Sequence, residues 1–156
     1  IYSAPFIYNN EKGNGHRGTV KVAVEKKITT VTVVPAPGDA GPGPVTLHWG
    51  VGYSSGTEWV CPDKETLAGL PGTTSKDIAA DTELKALKDS KAQAVEIEFL
   101  GAKQPQGITF VMKSGANWYK TEKGQNFNFP TSEEGRELIM KEWSKEGGKK
   151  ERGGGG

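Results

Sequence analysis

Short β-type runs, separated by glycine and proline, limit this chain to a small set of folds. Alternating apolar and polar residues are typical of strands that bury one face, and β-branched residues favour a pleated surface. Glycine and proline cost about 1 and 3 kcal/mol inside a helix, and 22 glycines and 9 prolines interrupt the 156 residues. The composition therefore argues against a helical bundle. The β-type runs are 20–24, 28–34, 45–51, 95–99, 108–112 and 127–129.

These runs predict an all-β fold, an antiparallel immunoglobulin-like β-sandwich over residues 19–130. The segment 1–18 is predicted to be an extended N-terminal arm, with a further strand of the same domain as the alternative. The proline- and glycine-rich stretch 35–44 cannot pair in a sheet, so it is predicted to be a surface loop. Residues 131–156 are predicted to form a short C-terminal amphipathic helix followed by a glycine-rich tail.

The predicted C-terminal helix carries its own start and stop signals. Thr131 and Glu134 stand three residues apart, as in a capping box. Residues 138–140 and Trp143 place an apolar stripe on one side of the helix, and Gly147 ends it. We expect this stripe to pack on the sandwich.

Charge and composition exclude several classes of function. The 20 basic and 19 acidic residues give a net charge of +1, so nothing attracts the chain to nucleic acid or to an anionic membrane. It contains no run of 18 apolar residues, and we expect no membrane insertion.

No catalytic constellation is visible. His16 and His48 are too few for a metal set. Cys61 stands beside a proline without a basic neighbour that would lower the pKa of its thiol. A loose glycine motif at 13–18 precedes a strand instead of opening a helix, which is the wrong context for a dinucleotide. We therefore expect no catalytic residues, no metal site and no cofactor.

Aromatic residues give the strongest indication of function. Alternation along 45–51 places Trp49 in the core and His48 on the opposite face. Trp59 follows a flexible loop that begins at Gly52. Trp118 is predicted to lie in a loop where the chain reverses at 114–117. An exposed indole offers a flat platform for another flat apolar face. In the alternative, Trp59 and Trp118 only plug the end of the sandwich.

Four short segments resemble a starch-binding module. They are LHWGV at 47–51, EW at 58–59, NWY at 117–119 and GQNF at 124–127. Together they are similar to carbohydrate-binding module family 45, found in plastidial α-amylase and glucan water dikinase, and to families 25 and 53. The resemblance spans roughly residues 45–130 and rests on the order of the segments and on their spacing.

The resemblance implies a β-sandwich that binds α-1,4-glucans, such as starch and maltooligosaccharides, without hydrolysing them. It implies that His48 contacts sugar, that Trp59 and Trp118 stack on sugar rings, and that Asn126 forms hydrogen bonds with hydroxyl groups. It also implies a location in the plastid, in the chloroplast stroma.

A second hypothesis belongs to another class. The chain could be an adaptor, or linker protein, that contacts protein subunits of a large plastid assembly such as a red algal phycobilisome. Its anchors would then be the aromatic residues of the two terminal segments, because buried aromatic side chains often dominate protein interfaces. These candidate anchors are Tyr2, Phe6, Tyr8 and Trp143.

Overall fold

The computed structural model describes residues 2–9, 15–38, 43–54, 58–88, 90–114, 117–121 and 125–141; of residues 2–9, 15, 16, 76 and 117 it describes the backbone. Within these ranges the chain forms eleven β-strands and two short helices. The strands are β1 (Tyr2–Asn9), β2 (Gly15–Glu25), β3 (Ile28–Pro35), β4 (Thr46–Gly52), β5 (Thr73–Lys76), β6 (Ala79–Glu83), β7 (Lys85–Ala86), β8 (Gln93–Glu98), β9 (Gly107–Ser114), β10 (Asn117–Thr121) and β11 (Phe127–Pro130). The helices are α1 (Lys64–Ala68) and α2 (133–141).

The strands form two antiparallel sheets. The first sheet has the order β1-β2-β3-β8-β7, and the second has the order β5-β6-β4-β9-β10. Strand β11 pairs with β9 next to the point where β10 pairs with it. This arrangement confirms the predicted all-β, immunoglobulin-like sandwich. The observed strands β3, β4, β9 and β11 lie within one or two residues of the runs read from the sequence.

The core lies between the sheets and follows the predicted alternation. Trp49 is fully buried, as its position in β4 indicates, and its Nε1–H donates to Thr82 Oγ1 at 2.9 Å. A buried indole needs such a partner for its N–H group. Phe110 lies parallel to Phe127 with 5.2 Å between the ring centroids, and Phe129 stacks beside them. These contacts join β4 to β6 and β9 to β11 on the inner face, beside the backbone ladder that pairs β4 with β9.

The N-terminal segment is a strand of the domain. Strand β1 pairs with β2 over its whole length and also with β10, where Phe6 faces Thr121 and Ile7 faces Lys120. It thus joins the two sheets. Backbone N–H and C=O groups along an unpaired edge need partners, and β1 supplies them to β2 and β10. Of the two alternatives for this segment, the structure therefore takes the strand, and the predicted boundary at residue 18 falls inside β2.

The C-terminal helix begins one residue later than predicted. Ser132 is the N-cap, because its Oγ accepts from Gly135 N at 2.9 Å. Thr131 is buried and donates from Oγ1 to the Pro105 carbonyl at 2.7 Å. The helix packs on the domain through Ile139, which is fully buried, and through Gly135, where a Cβ atom would overlap the Gln106 carbonyl. Met140 of the predicted apolar stripe does not pack on the sandwich and is 50% exposed. The predicted stripe residue at 143 and the glycine-rich tail lie outside the described residues.

Candidate functional site

The outer face of the second sheet carries a cluster of polar and aromatic side chains. Residues directly opposite each other on antiparallel strands project from the same face. His48 on β4 lies opposite Asp81 on β6 and Val111 on β9. Lys113 on β9 lies opposite Trp118 on β10. The strand order β6-β4-β9-β10 therefore places all five side chains on one surface.

A shallow groove of about 460 Å³ opens on this surface. It brings together all four residues that the sequence analysis selected for sugar contact, although they lie on two strands and two loops. Val111 and Lys120 complete its lining. The groove residues are His48, Trp59, Val111, Trp118, Lys120 and Asn126.

Trp59 reaches the groove because the chain after β4 folds back on that strand. Val51 and Val60 form a β-bridge with two backbone hydrogen bonds of 2.8 Å. The indole of Trp59 then lies against Gly50, where a Cβ atom would overlap its Cδ1 and Nε1 atoms. The Trp59 side chain is half-buried, and its buried Nε1 has no hydrogen-bond partner among the described residues. The position of the Trp59 ring is therefore set by its packing against Gly50.

Trp118 lies on a strand and not in the predicted loop. It belongs to β10, which forms a hairpin with β9, and alternation along β10 buries Tyr119 while Trp118 remains 46% exposed. Hairpin pairing fixes the backbone of Trp118 more firmly than a loop would. The ammonium group of Lys113 lies 5.6 Å from the centroid of the Trp118 ring, within the range of a cation–π contact.

His48 stands between the two tryptophans. Its ring centroid lies 5.6 Å from that of Trp59, at an interplanar angle of 48°, and 5.6 Å from that of Trp118, at 79°. The imidazole is about one third exposed, which agrees with the outward position predicted from alternation. The three rings form one continuous aromatic wall along the groove.

Asn126 is exposed and lines the groove, directly before β11. The loop that precedes it is closed at its base by two contacts of 3.0 Å between Thr121 and Gln125. In these, Thr121 N donates to the Gln125 carbonyl and Gln125 N donates to Thr121 Oγ1. This closure brings the Asn126 amide beside the groove.

Asp81 connects the imidazole to a neighbouring cation. Its Oδ1 lies 2.6 Å from His48 Nδ1, and its Oδ2 accepts from Lys113 Nζ at 3.3 Å. Burial raises the pKa of the Asp81 carboxyl, but the bonds and charges of His48 and Lys113 outweigh burial. The pKa therefore lies below its ordinary value of 3.8. Asp81 is ionised at neutral pH.

Sequence reasoning missed Asp81, Val111, Lys113 and Lys120. Asp81 is 33 residues from His48 in the chain, and only the β4–β6 register brings them together. The signal for Asp81 was alternation within the segment AADTE at 79–83, in which Asp81 and Glu83 project from the face opposite the buried Ala80 and Thr82. The segment is too short and too polar to predict a strand.

Glu58 organises the loop that delivers Trp59. Its Oε1 accepts from Tyr53 N at 2.6 Å, from Ser54 N at 2.7 Å and from Ser54 Oγ at 3.0 Å. The bond from Ser54 N is the largest cause of a pKa below the ordinary value of 4.5 for this carboxyl, and Lys103 adds to the effect. The ionised carboxylate thus ties Tyr53 and Ser54, directly after β4, to the residue that precedes Trp59.

We expect the bonds of Glu58 with Tyr53 and Ser54 to weaken in acid. Because the pKa of Glu58 is lower in the folded state, its stabilising contribution is complete above pH 4.5 and is lost as the pH falls through the folded-state value. The Tm of a Glu58→Gln variant should therefore fall less than that of the parent chain between pH 6 and pH 3. Glu96→Gln, on the first sheet, is the control. If the Tm of Glu58→Gln and that of Glu96→Gln change in the same way with pH, the bonds of Glu58 do not respond to pH.

Comparison with protein families identifies the fold. The model of the alpha-glucan water dikinase 1 Ig-like N-terminal domain matches residues 8–131. The chain belongs to this family. Comparison with curated proteins gave no match, and comparison with solved structures gave none. The family match covers β2 to β11 and every residue of the groove.

Two observations on the described residues concern metal binding and nucleophilic chemistry. No group of three or more His, Cys, Asp or Glu side chains that could hold a metal ion lies within the described ranges. Burial raises the pKa of the half-buried Cys61 thiol, which disfavours the nucleophilic thiolate.

Of the helices that the structure describes, none is long and apolar enough to cross a membrane.

The described residues do not test the anchors of the adaptor hypothesis. The backbones of Tyr2, Phe6 and Tyr8 lie in β1, but their side chains are outside the description, and so is the whole of Trp143. The adaptor function therefore stays a prediction.

Proposed function

We propose that this Ig-like domain is a non-catalytic module that binds α-1,4-glucans, such as starch and maltooligosaccharides, as in carbohydrate-binding module family 45. The observation that carries the proposal is the groove itself. Trp59, His48 and Trp118 line it as neighbouring rings, with Asn126 beside them. An open groove with exposed aromatic faces and a few polar groups suits a ligand that has flat apolar faces and a hydroxyl rim.

In this proposal the two indoles supply most of the affinity. Each would cover about 80–100 Å² of the less polar face of a glucose ring, worth roughly 2–2.5 kcal/mol at about 25 cal/mol per Å². Association costs about 4 kcal/mol or more, so the net affinity should lie between micromolar and millimolar. Since His48 is tilted against both indoles, the aromatic wall is not flat. A curved α-glucan should fit it better than a flat β-glucan.

Polar groups around the wall would then select the register of the sugar. His48 uses Nδ1 for Asp81, so Nε2 is the ring nitrogen that can meet a hydroxyl group. The exposed Asn126 amide offers both a donor and an acceptor, and the exposed Lys120 ammonium offers donors. Each of these groups lies on the lining of the groove, where the rim of a stacked sugar would pass.

Family membership supports the same proposal. The matched family is named as the N-terminal domain of an enzyme that acts on α-glucan, alpha-glucan water dikinase 1. A glucan-binding module would hold such an enzyme on its substrate. Because starch is the implied substrate, we propose that this domain is located in the plastid. The proposal assigns no bond-making or bond-breaking step to this domain.

Titration with maltoheptaose tests the proposed function. We expect saturable quenching of tryptophan fluorescence with a dissociation constant between about 1 μM and 1 mM, and retardation of the chain in a native gel that contains starch. Cellohexaose, a flat β-glucan, is the matched control and should produce much less quenching. A chain that is neither quenched by maltoheptaose nor retarded by starch does not have this function.

A further inference from the structure

Asp81 lies beside the groove, on the same face of the sheet, and contacts His48 and Lys113. Its two carboxylate oxygens are used separately: Oδ1 for His48 Nδ1 at 2.6 Å and Oδ2 for Lys113 Nζ at 3.3 Å. We propose that Asp81 is a positioning residue for sugar binding, which sets the tautomer and orientation of His48 and holds Lys113 beside Trp118. The inference rests on the proposed function and adds a residue that does not itself contact the sugar.

The backbone register makes the contact with His48 possible. Asp81 and His48 are directly opposite on β6 and β4, and both project outward. Lys113 lies on β9, on the far side of β4, where its backbone is opposite Thr46. The Asp81 carboxylate therefore bridges across β4 and connects three strands of the second sheet. Its side chain is one third exposed, so these bonds are only partly screened by water.

The carboxylate determines which nitrogen of His48 faces the sugar. An ionised carboxylate only accepts hydrogen bonds, so the bond to Oδ1 places the proton of a neutral imidazole on Nδ1. Nε2 then keeps a lone pair and accepts from a sugar hydroxyl. Without Asp81, the ring is free to rotate and to carry its proton on Nε2, which reverses the polarity of the group in the groove.

The carboxylate also balances the charges around the imidazole. Among the described residues, Asp81 on β6 contacts His48, Lys113 on β9 contacts Asp81, and Lys120 on β10 lines the same groove as His48. Removal of Asp81 would leave the ammonium groups of Lys113 and Lys120 on this face with no carboxylate between His48 and Lys113. Lys113 would lose its anchor and its place 5.6 Å from the Trp118 centroid. One substitution should thus disturb both the polar and the stacking parts of the groove.

Two variants and a matched control test the role of Asp81. Asp81→Ala should weaken maltoheptaose binding about tenfold, the size expected for losing a hydrogen bond to a charged group. Asp81→Asn keeps the volume but can donate or accept at His48, so a smaller loss is expected. Glu83→Ala removes a carboxylate from the same strand, two residues away, and should bind like the parent. Circular dichroism and the Tm of each variant confirm that it is folded.

Nitrogen NMR reports which imidazole nitrogen of His48 carries the proton. A residue that only stabilised the fold would not change this tautomer. The chain has two histidines, His16 and His48, so a His16→Gln spectrum assigns both sets of signals. At pH 8, without ligand, His48 of the parent should show a protonated Nδ1 and an unprotonated Nε2. In Asp81→Ala the proton should shift toward Nε2, whereas Glu83→Ala should leave the spectrum unchanged.

The outcomes separate this inference from the function on which it rests. If the parent chain does not bind maltoheptaose, the proposed function fails and the inference fails with it. If the parent binds and folded Asp81→Ala binds equally well, the groove is a glucan site and only the role of Asp81 is overturned. An unchanged His48 tautomer in Asp81→Ala also overturns it.

Discussion

Replacing Trp118 with alanine is expected to reduce the affinity for maltoheptaose about 30-fold, the equivalent of roughly 2 kcal/mol of lost stacking. The ring is 46% exposed, so much of its surface is available to a ligand. The backbone of Trp118 is fixed by the β9–β10 hairpin, and a truncated side chain leaves that pairing intact. The Tm should therefore change little. Isothermal titration and thermal unfolding measure the two effects separately.

Two further variants make the Trp118 result specific. Trp118→Phe keeps a smaller aromatic platform and should bind with intermediate affinity. Met140→Ala removes a side chain of similar exposure, 50%, from α2, away from the groove, and should bind like the parent. A Trp118→Ala variant that binds as tightly as Met140→Ala would contradict a stacking role for this indole.

Replacing Gly50 with alanine should weaken both folding and glucan binding. A Cβ atom at residue 50 would overlap the indole of Trp59 and would lie 2.9 Å from the Val60 carbonyl oxygen. Because Gly50 is buried within β4 and pairs with Thr109, the strand cannot move aside. The indole has to turn out of the groove instead. We expect the free energy of unfolding to fall by about 1–3 kcal/mol, as in other overpacked sites. The affinity for maltoheptaose should also fall, because the Trp59 indole no longer lies in the groove.

A double-mutant cycle distinguishes indole displacement from a general defect in β4. If the clash with Trp59 is the main cost, Gly50→Ala should be less destabilising in the Trp59→Ala background, because the overlapping ring is absent. Equal destabilisation in both backgrounds would place the cost at the Val60 carbonyl. Unchanged maltoheptaose binding by Gly50→Ala would contradict the seating of Trp59 against residue 50.

The strands that alternate most clearly could be predicted from the sequence, and they carry part of the site. The run at 45–51 placed Trp49 inside and His48 outside, and both positions are confirmed. Strands β5, β6 and β7 were not predicted, since their residues are mostly polar and they are edge or near-edge strands with little apolar surface to bury. Asp81 was missed for this reason. The prediction of a loop at Trp118 was wrong because the turn signal at 114–117 belongs to a hairpin.

Local chemistry also left two choices open that long-range contacts settled. Thr131 and Ser132 are both good N-cap residues; the helix begins after Ser132 because Thr131 bonds to the Pro105 carbonyl. The N-terminal segment reads as extended in either alternative. Whether it stays separate or joins the sheet depends on the open edges of β2 and β10, which no local pattern reveals.

Alternation along the chain was enough to predict the sandwich and the side of β4 that meets solvent, because side-chain direction alternates along any strand. Only long-range contacts bring Trp59, His48, Trp118 and Asn126 into one groove. That proximity depends on the Val51–Val60 bridge, on the missing Cβ of Gly50 and on the register of β4 with β6 and β9. These contacts join residues from different strands and loops, or place a ring against the backbone of a glycine. The spacing of neighbouring residues in the sequence does not predict them.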